Sequence, residues 1–140
     1  LSQQMIALTN PSKDDTLLLS MVMVWFSGIA SAIIDNIPYV ATMNPLIIET
    51  AEKVMGTTGE AAVKHASIMP VWWSLALGAC LGGNGTAIGA SANVIVVGLS
   101  EKAGHRISFA RFFRYGAPVT GLTLFLSMIY VWLRYYVLEI

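Results

Sequence analysis

The chain has 140 residues, 56% of them hydrophobic and only 11% charged, against roughly a quarter charged in ordinary soluble domains. Eight basic and eight acidic residues cancel to a formal net charge of zero, so no global bias points to nucleic acid or to an anionic lipid surface. The single cysteine, Cys80, excludes an intramolecular disulfide framework and a multi-cysteine metal site; the composition is that of a protein embedded in a lipid bilayer.

The opening residues, Leu1 to Leu8, read as the amphipathic end of a helix already under way, and no methionine precedes them. The expectation is a fragment of a longer protein. No signal peptide is evident, because the first long apolar run begins at Leu17, after Lys13, Asp14 and Asp15, and lacks a small-residue cleavage site.

Three apolar tracts follow. The first covers 17–48 and is interrupted at Asp35 and Asn36. The second covers 68–99, breaks at Gly82-Gly83-Asn84-Gly85-Thr86, and is expected to resume as helix near Ala87. The third, 117–133, is unbroken. Crossing the hydrocarbon core takes about 20 helical residues, so the third tract reads as one spanning helix, with Tyr130, Trp132, Tyr135 and Tyr136 as interfacial aromatics and Arg134 free to snorkel. The first two tracts, about 32 residues each, are too long for one simple span and read as broken helices or hairpins.

Charges lie between the tracts. The stretch 100–116 carries Lys102, Arg106, Arg111 and Arg114 against Glu101, which the positive-inside tendency places in the cytoplasm. Glu49, Glu52, Lys53, Glu60 and Lys64 have an acidic excess and belong on the other face, so the second tract crosses. The first tract, with no basic excess before it, is then expected to be a re-entrant hairpin. The fold predicted is an all-α membrane protein, multi-pass, with a re-entrant helical hairpin, a broken transmembrane helix and a continuous one.

Asp35 is the only acidic or basic residue inside the apolar tracts. A carboxyl group at membrane depth needs a partner, a cation or a proton. Burial favours its protonated form and a neighbouring cation its charged form, so such a group can exchange the two. Pro38 removes a backbone donor and biases Ile37 away from helix, leaving carbonyls that could ligate Na+. A simpler reading is that Asp35 and Asn36 cap a helix beginning at Pro38. Capping and coordination are compatible.

The second interruption sets Gly78, Gly82, Gly83, Gly85 and Gly89 around Asn84, Thr86, Ser91 and Asn93. Glycines unwind a helix and let backbone approach a ligand, and at membrane depth such backbone is tolerated only when buried in protein or lining a cavity. The restarting helix presents free amides and a positive dipole end. Small residues four apart also serve plain helix packing. A nucleotide site has little support: the glycine spacing is one residue too long and no Walker lysine is present. His65 and His105 read as solvated, Trp72 and Trp73 as interface anchors, the methionines as packing, and Arg111 and Arg114 as orientation determinants. No nucleophile–base pair or paired carboxylates suggest an enzyme.

Two broken apolar segments in succession point to the central site of a secondary transporter. The matching inverted repeat is not in this sequence, so the other half of the same protein is expected elsewhere. The runs IIDNIPYVATMNP (33–45) and GACLGGNGTAIGASANV (78–94) together resemble the ion transporter superfamily of arsenite exporters, one class of sodium–proton antiporters and citrate-type carriers, and within it the P protein branch. The resemblance implies the C-terminal half of an inverted-repeat transporter that works as a homodimer by elevator-like movement. It places Asp35, Asn36 and Ile37 at a hairpin tip, with Asn84, Thr86 and Asn93 on the facing break. Dicarboxylate carriers usually carry Ser-Asn-Thr at that tip; Asp-Asn-Ile here turns the expectation from carboxylate substrates toward proton or sodium coupling.

The resulting expectation is a secondary transporter of a small inorganic or organic ion, with no cofactor beyond H+ or Na+ as coupling ion. Asp35 and Asn36 would hold that ion, and Gly83, Asn84, Gly85, Thr86, Ser91 and Asn93 would line the path. A passive channel, a citrate-type symporter and a purely structural subunit are the alternatives.

Overall fold

A computed structural model describes residues 13–56 and 58–138. The helix end expected at Leu1 to Leu8, and Glu139, lie outside the described residues. Every regular element among the described residues is helical: α1 (Lys13–Ser31), α2 (Asn36–Met55), the single turn α3 (Glu60–Val63), α4 (Met69–Gly82), α5 (Ser91–Lys102) and α6 (Phe109–Trp132). Two 3-10 turns, Ala66–Ile68 and Gly83–Gly85, bracket α4, and a π-helical turn, Leu133–Val137, extends α6.

Helix ends follow the local chemistry. Asp35 caps α2, its Oδ1 accepting from Ile37 N at 3.5 Å. The expected distortion at Ile37 does not occur: Ile37 is helical, because Pro38 falls in the first turn, where a missing N–H leaves no bond unmade. At the far end Gly56 adopts φ +62, and its N–H closes on Glu52 O. Ser108 caps α6 by accepting from Arg111 N at 3.3 Å. Helix α6 therefore starts well before the expected Ala117 and takes Arg111 and Arg114 into its first turns; only 103–108 are loop.

The tightest packing is between α1 and α4. A Cβ on Gly82 would fall 2.2 Å from Gly28 O, and one on Gly78 would fall 2.6 Å from Val24 O. Glycine is required here by close backbone approach rather than by torsion. Facing them, Ser20, Val24, Ser27 and Ser31 form a fully buried stripe on α1, and Ser31 Oγ donates to Ala79 O at 2.6 Å. Thus Gly78 and Gly82 are packing residues.

Helix α2 returns alongside. Tyr39 Oη donates to Ser27 Oγ at 3.0 Å, while Leu19 and Met23 of α1 share a small cavity with Met43 and Ile47 of α2 and Val71 of α4. The two arms are antiparallel, a helical hairpin with its turn at 32–35. Met23, Tyr39, Ile47, Ala51, Ala62, Ile68, Val71, Leu75 and Ala79 make one buried cluster. Trp72 packs against this cluster, whereas Trp73 is exposed.

Helix α6 closes the third side through Leu124, which meets the Gly28 surface, and Val131. Trp25 Nε1 donates to Met128 Sδ at 3.4 Å. At the far end Arg134 Nη1 donates to Tyr130 Oη at 2.6 Å and lies over the Tyr135 ring, a cation–π contact. By length and apolarity 66–85 and 109–137 qualify as membrane spans, and 16–31 is a shorter apolar helix. Helix α5 buries no residue; Val94, Ile95, Val96 and Leu99 are all exposed.

Candidate functional site

The two interruptions, about fifty residues apart in sequence, meet in space. The hairpin turn at 32–35 lies against the break at 83–91, and each of its polar contacts has an identifiable origin. Thr86 Oγ1 donates to Ala32 O. Asp35 Oδ2 accepts from Ser91 N at 3.2 Å and from Ser91 Oγ. Since Oδ1 of the same carboxyl caps α2, one carboxyl group joins the N-termini of α2 and α5, the two positive dipole ends in the region.

The break is longer than the expected interruption. After the 3-10 turn at Gly83–Gly85, the chain runs through extended backbone at Thr86 (φ −134, ψ 160) and Ala90 (φ −148, ψ 140). Helix resumes at Ser91, not at Ala87. The reason is steric and polar at once. A Cβ on Gly89 would lie 2.7 Å from Gly83 O, 2.9 Å from Ala32 O and 3.0 Å from Ser31 O, so the turn at 86–90 presses into the hairpin turn. Asn93 secures it from the first turn of α5, its Nδ2 donating to Gly83 O at 2.8 Å and to Thr86 O at 3.0 Å.

The candidate residues therefore take different roles. Asp35, Thr86, Ser91 and Asn93 form a connected polar set. Gly83 and Gly85 are buried beneath it, and Gly83 contributes its carbonyl. Asn36 is the first residue of α2 and half-buried, and Asn84 is exposed at the 3-10 turn; none of the hydrogen bonds that tie the turn to the break involves either side chain. Among the described residues no group of three or more His, Cys, Asp or Glu could hold a metal ion. Any cation here would be held chiefly by neutral oxygens and one carboxylate, a donor set suited to Na+ or H+ rather than to a transition metal.

Gly89 was named in sequence as one of the glycines of the break, but not as a residue pressed against Ala32 O and Ser31 O. Gly116 and Thr120 escaped the sequence reading. From α6, a Cβ on Gly116 would lie 2.6 Å from Asn84 O, and Thr120 faces Gly85. The G-A-P-V-T-G run at 116–121 signals only a helix with small residues.

An apolar cavity of about 340 Å³ adjoins the site between α1, the break and α6, lined by Trp25, Gly28, Ala32, Gly85, Thr86 and Thr120 among others. His65 is exposed and accepts from Ser67 N at 3.2 Å; His105 is exposed in the loop before α6. Neither joins the site.

Comparison with known proteins adds an independent line. The profile of the citrate transporter family (CitMHS) matches residues 1–78. An uncharacterized transporter of Mycobacterium tuberculosis is 55% identical over 108 residues, 77% of this chain and 23% of that protein. A second from the same organism is 44% identical over 131 residues, 94% of this chain and 29% of that protein. The P protein of Homo sapiens is 38% identical over 122 residues, 86% of this chain and 14% of that protein. The chain thus spans between about a seventh and less than a third of the length of these relatives. No solved structure matches.

Proposed function

The chain belongs to the citrate transporter family, and on that premise we propose that it supplies one half of the binding site of a secondary active transporter, with Asp35 as the group that takes the coupling proton or Na+. The family is one of membrane transporters rather than enzymes, so the chain is part of an integral membrane protein. The observation that carries the proposal is the Asp35 carboxyl joining the hairpin turn to the N-terminus of α5 through Ser91. A single carboxyl in an apolar setting, held by neutral donors, changes its contacts when it gains a proton or a cation. The two breaks then respond together.

In this reading α1 and α2 form a re-entrant hairpin whose tip is the turn at 32–35, α4 and α5 form the broken helix, and α6 spans. Asn36 and Asn84, whose side chains take no part in the Asp35–Ser91 latch between turn and break, are left for ion or substrate contact. The counterpart half-site comes from the rest of the protein, and assembly is as a homodimer. The transported species is a small ion. Against a carboxylate at this point stands the engagement of Ser91 N, a donor at the N-terminus of α5, by the chain's own carboxyl group. A citrate-type substrate would have to displace Asp35.

The test is uptake by the full-length protein in proteoliposomes of radiolabelled citrate, chloride and arsenite, with pH and Na+ gradients imposed separately. Uphill movement driven by either gradient supports a coupled carrier. Flux that follows only its own gradient and reverses at that ion's Nernst potential selects a channel.

A further inference from the structure

We propose that the groove along the first turns of α6 binds an anionic phospholipid, with the headgroup phosphate on Arg111 and Arg114 and an acyl chain laid along Tyr115 and Val119. The stretch 100–116 holds four of the chain's eight basic residues and a single acid, Glu101. That acid is already engaged: Arg106 Nε pairs with it at 3.4 Å. Lys102, Arg111 and Arg114 are exposed, and among the described residues none of their side chains has an ion pair or a hydrogen bond. No acid lies in the first turn of α6 to offset them. Arg111 and Arg114, three positions apart, share one side of the helix. This end of the span thus carries positive charge that nothing among the described residues answers.

Depth agrees with charge. Arg114 stands 20 residues before Arg134, and about 20 helical residues cross the hydrocarbon core. The two arginines therefore bracket the core, which puts Arg111 and Arg114 at headgroup level. From there a groove of about 390 Å³ runs down α6, lined by Ile107, Arg111, Phe112, Tyr115, Gly116 and Val119. Arg111 is the one charged residue in that lining. Positions 111 to 119 cover about 12 Å of helix, from headgroup depth into hydrocarbon, and Tyr115 and Val119 are 69% and 57% exposed. A cationic mouth leading into an apolar length fits an amphiphile with a negative head. A free inorganic anion would leave the apolar length unused, and a neutral lipid would leave the arginines unanswered. The groove also backs onto the break, through Gly116, whose Cβ position lies 2.6 Å from Asn84 O.

Binding is read without transport, so this site stands or falls separately from the coupling role of Asp35. The full-length protein in neutral detergent receives phosphatidylglycerol, phosphatidylcholine with the same chains, or glycerol phosphate, and bound lipid is counted by native mass spectrometry beside the thermal unfolding midpoint. Phosphatidylglycerol is expected to bind and to raise the midpoint above that in phosphatidylcholine, and glycerol phosphate to do neither. Arg111→Gln combined with Arg114→Gln should weaken phosphatidylglycerol binding at least about tenfold. Val119→Trp, which fills the groove and alters no charge, should weaken it as well, and carries the test if the double variant does not insert. The proposal is overturned if the two lipids act alike, as they would where another segment of the protein covers the groove. It is equally overturned if glycerol phosphate reproduces the effect, which marks a plain anion site, or if either variant binds phosphatidylglycerol as wild type does.

Discussion

Replacing Gly82 by alanine tests the packing that holds the two breaks together. The added methyl carbon would sit 2.2 Å from Gly28 O and 2.6 Å from Gly28 Cα, where ordinary contact begins at 3.4 Å. Both obstacles are backbone, so α1 and α4 must part by about 1 Å. Overpacking of this kind costs about 1–3 kcal/mol. The same movement stretches the Ser31 Oγ to Ala79 O bond from 2.6 Å toward a length at which it no longer counts as one, a further loss of about 1 kcal/mol. The expected destabilisation is about 2–4 kcal/mol, or roughly 30- to 700-fold in the folding equilibrium. Gly98→Ala is the matched control. It lies inside α5, nothing stands within 4 Å of its Cβ position, and alanine favours helix by up to about 1 kcal/mol. Reversible unfolding of the full-length protein in mixed micelles reads both. Equal stability of the two variants would refute the close α1–α4 contact.

Ser91→Ala removes the hydroxyl that Asp35 engages but keeps the backbone donor. A hydrogen bond to a charged group is worth about 1.5–3 kcal/mol, so hydrogen exchange at the N-termini of α2 and α5 should quicken at least about tenfold, and unchanged exchange would remove the latch. Asn93→Leu keeps the volume and abandons Gly83 O and Thr86 O. It should loosen the break and lower transport while leaving the α1–α4 contact intact, read as faster exchange at 86–93 with protection of 20–31 preserved; protection lost equally in both segments would contradict a local role.

The apolar tracts and the two breaks were legible in the sequence because composition and hydropathy register membrane depth residue by residue. The roles inside the breaks were not. Gly78, Gly82, Gly83, Gly85 and Gly89 look alike in sequence, yet the first two pack on α1, the next two form a 3-10 turn and the last wedges into the hairpin; which does which depends on the partner backbone. Helix restart at Ser91 rather than Ala87 follows from Gly89 meeting Ala32 O, a tertiary contact. Asp35 and Ser91 were both named as site residues, but their pairing joins positions 56 apart, which no local pattern encodes. The early start of α6 was available in Ser108, a good cap, and was obscured by the basic residues that follow it.

The measurement that bears most directly on the central claim is gradient-driven uptake by the full-length protein in proteoliposomes, wild type beside Asp35→Asn. Asparagine caps a helix about as well as aspartate, so the hairpin should survive, while the charge that binds a proton or Na+ and the second acceptor oxygen that Ser91 engages are gone. The account predicts that uphill uptake in wild type is lost in Asp35→Asn, or becomes independent of pH and Na+. Uptake with unchanged rate and unchanged ion dependence would contradict it.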